Sequence, residues 1–272
     1  MERLGLDLQS AFGMPPVEYV RLAADLGCGH ITSGLTQLPW NPCGFQPWSL
    51  REDLALRRET IAAMRDRGVA LSVGAGFSLK SQADVRDLAS DMDLMAELGA
   101  RQLGTVGMDR DIPRAHDQLA LLTAMAAERG MEVVLDYSPH QAINSLEGAC
   151  AALRHVGSPN ALLSIDAMHF FRAGGSNAEL AALAPALIGY AQLCDVPTVP
   201  PFADYAREAT FERLVPGDGD LPLSGFVAAL PREVLIGVEV PMLSEVERGT
   251  PLRTILERAV SASRDLLLAL DA

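Results

Sequence analysis

The sequence predicts one (β/α)8 barrel spanning residues 1–272. Short apolar runs alternate with longer amphipathic segments eight times, at a spacing of about 30 residues, the length of one strand–helix unit. The residues after the first run, Gln9–Met14, do not match the GxGxxG pattern that an open doubly wound sheet normally carries there. No linker or low-complexity stretch interrupts the chain, so we expect a single domain.

The predicted strands are short apolar runs, several of which end at a polar residue. Parallel strands that are buried on both faces have this composition, because helices cover the outside of the sheet. The eight runs are Leu4–Leu8, His30–Leu35, Val69–Gly74, Gln102–Val106, Met131–Asp136, Leu162–Ile165, Tyr190–Cys194 and Val234–Val238.

Helix boundaries are predicted from capping residues, prolines and glycines. Ser49 and Glu52 have the spacing of a capping box, and Ser81, Ser145 and Asn177 are predicted N-caps. One further helix is expected between an irregular segment, which ends at Pro222, and the eighth strand. The irregular segment is Val196–Pro222, and the helix after the fourth strand is predicted to end at Gly130. The other predicted helices run from Pro15 to Gly27, Ser49 to Gly68, Ser81 to Gly99, Ser145 to Gly157, Asn177 to about Gly189, and Leu252 to Leu270.

The composition restricts the partners that the protein can have. The formal net charge is -13, from 35 acidic and 22 basic residues, and such a surface repels nucleic acid. The 4 cysteines form no CxxC pair, which favours free thiols in a reducing compartment. No apolar run approaches the roughly 20 residues that span a bilayer, and the start MERLGLDLQS lacks the pattern of a signal peptide. We therefore expect a cytoplasmic protein with no membrane partner.

Three residues suited to chemistry follow the sixth strand within a few positions. Asp166 ends the apolar run, and His169 and Arg172 come before the pair Gly174 and Gly175. A buried strand that delivers an acid, an imidazole and a guanidinium to one end of a barrel would place them in an active site. The alternative is a strand end whose solvated aspartate caps the next turn.

Oxygen donors lie at or near the ends of the last four strands. Barrel active sites lie at the carboxyl ends of the strands, so these donors are expected to converge. Sites with only oxygen ligands favour Mg²⁺ or Mn²⁺ over zinc, and several carboxylates in a confined space require a cation. The four donors are Asp136, Asp166, Gln192 and Glu239, of which Gln192 could instead be a hydrogen-bonded strand residue.

Together these motifs resemble the xylose-isomerase-like TIM-barrel superfamily of sugar isomerases and epimerases. The resemblance covers essentially the whole barrel. One position departs from the pattern, because the family usually has Glu on strand five where this chain has Asp136. The matching residues are Asp166 and His169 in an Asp-x-x-His motif, Gln192 in QLCDVP, the segment Arg213–Pro222 (RLVPGDGDLP) and Glu239 in VEVP.

The resemblance implies a divalent metal ion, Mn²⁺ or Mg²⁺, that holds two neighbouring oxygens of a hydroxy-carbonyl substrate and stabilises an enediolate. It implies that Glu239 is a ligand and a base with Asp136 as its partner, and that His169 binds or protonates a substrate oxygen. The shorter side chain of Asp136 could reach the metal through a water molecule. The implied metal ligands are Asp136, Asp166, Gln192 and Glu239.

Candidate substrate-binding residues surround this predicted site. By resemblance, Arg213, Arg207 and Arg172 would hold substrate hydroxyls or a carboxylate, although a surface ion pair would also explain Arg213. His140 follows strand five. Trp40 lies in a loop with Phe45 and Trp48. This loop could cover the substrate or form a dimer contact, so a homo-oligomer is one of the expected possibilities. The turn Pro216–Asp220 is predicted to be a tight turn rather than a phosphate cradle, because no Lys-Ser/Thr follows its glycines.

Three functions are compatible with these residues. The first is a metal-dependent isomerase or epimerase acting on a keto sugar or a related small polyhydroxy carbonyl compound. The second is a metal-dependent dehydratase of the dehydroshikimate or inosose type, which would use the same base to expel a β-hydroxyl. The third is a barrel that binds a ligand without catalysis, which the departure at Asp136 keeps open.

Overall fold

The computed structural model describes residues 3–271 and forms a closed barrel of parallel strands. Each strand pairs with its neighbour in the sequence, and the last strand pairs with the first. The predicted single-domain (β/α)8 barrel is therefore confirmed. The strands within these residues are β1 Leu4–Leu6, β2 His30–Ser33, β3 Ala70–Gly74, β4 Gln102–Val106, β5 Glu132–Asp136, β6 Ala161–Asp166, β7 Ile188–Leu193 and β8 Leu235–Val238.

Helices alternate with the strands and cover the outside of the barrel. Extra short helices follow β6, β7 and β8, so the loops that these strands lead into are more structured than the others. The helices of the described region are α1 Pro16–Asp25, α2 Leu54–Arg67, α3 Ala89–Glu97, α4 Ile112–Ala127, α5 Leu146–Val156, α6 Ala167–Arg172, α7 Asn177–Ala181, α8 Tyr205–Phe211, α9 Leu223–Ala229, α10 Leu243–Glu247 and α11 Leu252–Asp271.

Two apolar regions hold the barrel together. The larger lies between the strands and the helices and is built mainly from aliphatic side chains, as the composition predicts. The smaller contains Val73, Val134, Leu162 and Tyr190, and three of these also line the cavity at the carboxyl ends of the strands. The floor of that cavity is therefore apolar, while the polar side chains come from the strand ends.

Three of the predicted N-caps, Ser49, Ser81 and Asn177, are wrong by a few residues. Helix α2 begins at Leu54, because Asp53 caps it by accepting a hydrogen bond from the Leu56 amide. The predicted cap, Ser49, accepts instead from the amide of Glu52 in the turn before the helix. Helix α7 is capped by Ser176 rather than by Asn177, and Ser176 forms a reciprocal capping box with Glu179.

Other boundaries move because a side chain ends or delays an element. Strand β1 stops at Leu6, since Asp7 caps a short 3₁₀ helix over Leu8–Ala11. The helix predicted to begin at Ser81 begins after Asp84, which caps a 3₁₀ turn leading into α3. Gly189 lies inside β7 rather than at a helix end. A Cβ there would overlap Leu162 and Val134, so this glycine permits close packing of the strand and is not a helix stop.

Within residues 3–271, helices α6, α8 and α10 form where the sequence predicted none, and the first two of them lie near the carboxyl ends of the strands. Helix α6 starts directly after β6, so His169 and Arg172 lie on a helical turn whose cap is Asp166. Helix α8 lies inside the segment that was predicted to be irregular, and Asp204 caps it. Both helices border the cavity described below. Among the helices of residues 3–271, none is long and apolar enough to cross a membrane.

Gly5 provides a test of how the interior is packed. A Cβ on Gly5 would overlap the ring of His30, which is fully buried and bonded to Ser72 at 3.0 Å. We expect Gly5→Ala to lower the free energy of unfolding by about 1–3 kcal/mol, as overpacking does. Gly34→Ala is the control, because the nearest atom to its added Cβ is 3.6 Å away. Equal urea midpoints for the two variants would contradict this packing.

Candidate active site

A cavity of about 480 Å³ opens at the carboxyl ends of the strands. Strand register places its polar side chains, since Asp166 pairs with Gln192, and Gln192 pairs with Gly237, two residues before Glu239. Asp136 ends β5 on the neighbouring side of the barrel, opposite Val106 in register. The four predicted oxygen donors therefore meet at one end of the barrel, although Asp166 lies behind the cavity wall.

Arg213 lies at the centre of this group. Its guanidinium is buried, with 2% of the residue exposed. Nη1 contacts Oδ2 of Asp166 at 2.5 Å, and Nη2 contacts Oε1 of Glu239 at 3.1 Å. Nε donates to the carbonyl of Ala209 on α8 at 2.8 Å. Every nitrogen of the guanidinium thus has a partner in the protein, and the ion pair is internal rather than on the surface.

Gln192 connects two carboxylates through its amide nitrogen. Nε2 donates to Oδ2 of Asp7 at 3.1 Å and also to Oε2 of Glu239. Its oxygen accepts from the hydroxyl of Ser164 at 3.3 Å. In this conformation the side chain acts as a donor that holds Asp7 and Glu239 near each other.

Asp166 has two roles at the end of β6. Its Oδ1 accepts from the amide of His169 at 2.8 Å, so it caps α6 as the alternative interpretation of the sequence required. The same side chain is buried and paired with Arg213, so it is not a solvated cap. Capping and ion pairing together fix the direction in which the carboxylate points.

His169 lies between Asp136 and Tyr205. Its Nε2 is 4.0 Å from Oδ2 of Asp136, and its Nδ1 is 2.6 Å from the hydroxyl of Tyr205. The ring of Tyr205 stacks on His140, with centroids 4.5 Å apart. Helix α8 thereby holds one nitrogen of His169 and leaves the other facing the acid on β5.

Burial and neighbouring charges shift the pKa values of the titratable side chains in the site in different directions. Desolvation and the nearby Asp166 raise the pKa of Asp136 well above its ordinary value. Desolvation also raises the pKa of Glu239 well above normal, although Arg213 opposes the rise. Burial alone would raise the pKa of Asp166, but Arg213 and His169 hold it below the usual value. Desolvation lowers the pKa of His169 to about 4, so its imidazole is neutral at pH 7.

The structure brings some of the predicted substrate-binding residues to the cavity and leaves others outside. Arg213 and His140 line the cavity. Arg172 is instead held by Glu208 at 2.7 Å and by the carbonyls of Pro197 and Thr198, so it fixes helix α8 to the loop after β7. The guanidinium of Arg207 lies over the ring of Phe202, and Trp40 contacts Phe211 edge to face. Neither residue lines the cavity.

Asp7 and Tyr205 line the cavity and bond to predicted site residues, but they were not predicted. Asp7 follows β1 and is buried, and its position at a strand end is the same signal that identified Asp136. Asp7 was missed because the prediction of the site rested on the last four strands alone. Tyr205 gave no such signal, because it lies in a loop segment whose contact with His169 depends on how α8 folds back over the barrel.

The oxygen donors of the site decide whether it fits a divalent cation. Within residues 3–271, no three His, Cys, Asp or Glu side chains form a ready metal cluster, because the guanidinium of Arg213 lies between Asp166 and Glu239. The donors are nevertheless chemically suited to a divalent cation. Oδ1 of Asp136 is buried without a hydrogen-bond partner, and the acids around the site outnumber its one arginine. An excess of buried carboxylates is satisfied by protons or by a cation.

The family model described as xylose isomerase-like TIM barrel matches residues 19–266. The chain belongs to this family. A comparison of the sequence with curated proteins finds no match.

Solved structures of low sequence identity share the fold over nearly the whole chain. The IolI protein with a bound zinc atom has a TM-score of 0.82 and 15% identity, covering 98% of this chain and 99% of its own. D-psicose 3-epimerase in the presence of D-fructose has a TM-score of 0.75 and 14% identity, with coverages of 99% and 100%. The probable 3-DHS dehydratase AsbF from Bacillus anthracis has a TM-score of 0.75 and 14% identity, with coverages of 97% and 99%.

The buried ion pair gives a stability prediction. Arg213→Gln should lower the free energy of unfolding by about 3–5 kcal/mol, because it leaves two buried carboxylates without their cation. The control is Arg207→Gln, whose side chain lies over Phe202 outside the cavity and should change stability by about 0.5 kcal/mol or less. Urea denaturation in the presence of a chelator measures both. Wild-type stability in Arg213→Gln would contradict the central role of the guanidinium.

Proposed function

We propose that the protein is a divalent-metal-dependent isomerase or epimerase that acts on a keto sugar or a related polyhydroxy carbonyl compound through an enediolate. The observation that carries the proposal is the pair of carboxylates facing one cavity from β5 and β8. Asp136 and Glu239 both line the cavity, and burial raises the pKa of each well above normal. A raised pKa favours uptake of a proton by the carboxylate, as removal of a proton next to a carbonyl requires.

The proposed metal ion is Mn²⁺ or Mg²⁺, and Asp136, Asp166, Gln192 and Glu239 would hold it. A cation of this kind supplies Lewis-acid polarisation of a carbonyl oxygen. Three of these residues would have to change their present contacts. Glu239 and Asp166 contact Arg213, and Gln192 would turn its oxygen away from Ser164. Arg213 would then be released to donate to a substrate oxygen.

The residues of the chain account for proton transfer between neighbouring carbons. Glu239 as a carboxylate would take a proton from a substrate carbon, and Asp136 in its protonated form would donate its own proton from the other strand, so that Glu239 ends protonated and Asp136 ends as a carboxylate. His169, neutral at pH 7, would donate or accept a hydrogen bond at a substrate oxygen through Nε2. Tyr205 supports this role because its hydroxyl holds Nδ1 and so fixes the plane of the ring.

A second candidate is a lyase on the same residues. After the same proton removal, loss of a β-hydroxyl would give a dehydratase. Incubation with candidate ketoses and cyclitol ketones in deuterium oxide distinguishes the reactions. An isomerase or epimerase exchanges a carbon-bound proton and conserves mass, whereas a dehydratase releases water and forms an absorbing enone. A barrel that only binds its ligand would do neither, and that result would overturn the proposal.

Metal binding should be visible as stabilisation of the fold. Adding Mn²⁺ or Mg²⁺ at about 100 times its Kd should raise the Tm by roughly 5 °C, because a ligand of the native state stabilises it. Glu239→Gln should abolish most of this shift. Glu132→Gln, at the other end of the barrel beside Gln102, is the control and should keep it. The absence of a shift in the wild type would remove the metal from the proposal.

The roles of His169 and Tyr205 can be separated from metal binding. His169→Ala should lower kcat about a hundredfold and keep the metal-induced Tm shift. Tyr205→Phe should lower kcat by a smaller factor, because it removes the bond to Nδ1 and retains the stack on His140. The control is Tyr137→Phe, since the Tyr137 hydroxyl is buried without a hydrogen-bond partner. Full activity in His169→Ala would exclude this histidine from the reaction.

A further inference from the structure

We infer that Arg172 and Glu208 are positioning residues for the imidazole of His169. Their buried ion pair docks helix α8 on helix α6 so that the hydroxyl of Tyr205 donates to Nδ1 of His169. The imidazole proton is then on Nε2, the nitrogen that faces the cavity. The docking is a property of the protein alone, whereas its consequence for catalysis rests on the proposed function.

Helices α6 and α8 are joined by two side-chain contacts with the same spacing. His169 and Arg172 are three residues apart on α6. Tyr205 and Glu208 have the same separation on α8. Residues at this separation lie on one face of a helix. Nδ1 of His169 is 2.6 Å from the Tyr205 hydroxyl, and Nη2 of Arg172 is 2.7 Å from Oε1 of Glu208. The second contact therefore restricts the geometry of the first.

The ion pair docks α8 where apolar packing is small. Glu208 and Ala209 are the two buried residues of this helix, and Ala209 has only a methyl group to pack. The Glu208 side chain is 1% exposed, and its second oxygen accepts from Nε of Arg172 at 3.3 Å. A buried carboxylate that loses its cation is strongly unfavourable. Without Arg172 we therefore expect α8 to shift until Glu208 reaches water.

The same guanidinium also holds the segment that leads into α8. Nη1 of Arg172 donates to the carbonyl of Thr198 at 3.1 Å, and Nη2 donates to that of Pro197 at 2.8 Å. One side chain of α6 thus fixes both the helix and its approach. None of these contacts uses Arg213, so they can persist when Arg213 leaves its carboxylates.

The contact with Tyr205 determines which nitrogen of His169 carries the proton. Desolvation lowers the pKa of His169 to about 4, so at pH 7 the ring is neutral and one nitrogen is protonated. Burial raises the pKa of Tyr205, so its hydroxyl keeps its proton. Among residues 3–271, His169 is the one hydrogen-bond partner of that hydroxyl. Donation from the hydroxyl to Nδ1 satisfies both groups, whereas the reverse arrangement leaves the hydroxyl proton without an acceptor.

A proton on Nε2 gives His169 one defined role in the site. Nε2 lies 4.0 Å from Oδ2 of Asp136, and His169 lines the cavity. In this tautomer the imidazole donates a hydrogen bond and is not a base. Under the proposed function, His169 would therefore donate to a substrate oxygen, and the carboxylates of Asp136 and Glu239 would transfer the protons.

Spectra that correlate ¹⁵N and ¹H in the histidine rings test the inference without metal or substrate. The signals of His169, one of 5 histidines, are assigned by their loss in His169→Gln. In the wild type at pH 7 we expect a single tautomer with the proton on Nε2. Tyr205→Phe should give a mixture of tautomers, because Nδ1 loses its donor. A proton on Nδ1 in the wild type, or an unchanged spectrum in Tyr205→Phe, would overturn the inference.

Glu208→Gln should produce the same mixture of tautomers although Tyr205 is retained. In a Tyr205→Phe background it should change the ratio no further, because the ion pair acts through that hydroxyl. If Glu208→Gln does not fold, Glu208→Asp decides. This variant keeps the charge but ends about 1.5 Å earlier, given normal carbon–carbon bond lengths, and should also shift the tautomer. A wild-type spectrum in whichever of these variants folds would overturn the inference.

Arg57 offers a matched control for the loss of a buried ion pair. Its side chain is 10% exposed against 12% for Arg172, and it pairs with Glu97 at 3.0 Å outside the cavity lining. It also donates to the carbonyl of Leu50 at 2.6 Å. Arg57→Gln should lower the Tm and leave the His169 spectrum unchanged, whereas Arg172→Gln should change both. An altered His169 spectrum in Arg57→Gln, or an unaltered one in Arg172→Gln, would reduce the ion pair to a general contribution to stability.

The catalytic consequence is measured on a ketose whose proton exchange the metal-loaded wild type catalyses. Glu208→Gln should lower kcat about tenfold and leave KM and the metal-induced Tm shift nearly unchanged, as loss of an orienting partner does. Exchange with no ketose would count against the proposed function and leave the spectroscopic test in force. An unchanged kcat in a variant whose tautomer has changed would overturn the assigned role of the Nε2 proton.

Discussion

The guanidinium of Arg213 lies between the carboxylates of Asp166 and Glu239, and the geometry of the site depends on these contacts. They join the ends of β6 and β8 to helix α8, because Nε of Arg213 also bonds to Ala209. The backbone amide of Arg213 donates to the carbonyl of Pro241 at 2.9 Å, so the same residue ties α8 to the loop after β8. A buried charge of this kind is maintained only when its partners are fixed as well.

The remaining acids of the site are those that Arg213 does not satisfy. Asp7 and Glu239 share the amide of Gln192, and Asp136 keeps one oxygen without any hydrogen bond. Burial of this excess raises the pKa of Asp7, Asp136 and Glu239. The site therefore holds buried carboxyl groups that a bound proton or cation stabilises, and proton-transfer chemistry uses this property. Arg213 and a divalent cation compete for Asp166 and Glu239, so ligand binding and the position of α8 are coupled in this proposal.

Much of the fold was predictable because it depends on local pattern. Alternating apolar runs and glycine stops specify the barrel, and Asp136, Asp166, Gln192 and Glu239 follow from their positions at strand ends. Caps were harder to assign, since Ser49 and Asp53 are both suitable and tertiary packing selects Asp53. Residues that act through long-range contacts left no signal in the sequence.

Tyr205 and Arg172 show this limit of sequence-based prediction most clearly. Tyr205 reaches His169 only because α8 folds over the barrel, where Arg172 and Glu208 hold it. Arg172 looked like a substrate ligand because it follows His169 closely, yet the helical turn of α6 directs it toward Glu208 instead. Strand register determines which side chains lie inside a barrel, and sequence patterns indicate that register. The conformations of the loops at the carboxyl ends of the strands depend instead on contacts between segments that are distant in the sequence.

Anomalous diffraction from crystals of the wild-type protein soaked with Mn²⁺ tests the central claim most directly. The account predicts one strong peak among Asp136, Asp166, Gln192 and Glu239, with Arg213 displaced from at least one of its two carboxylates. A fully occupied ion pair at Arg213 with no peak in the cavity, at a Mn²⁺ concentration that saturates a control metalloenzyme, would contradict it.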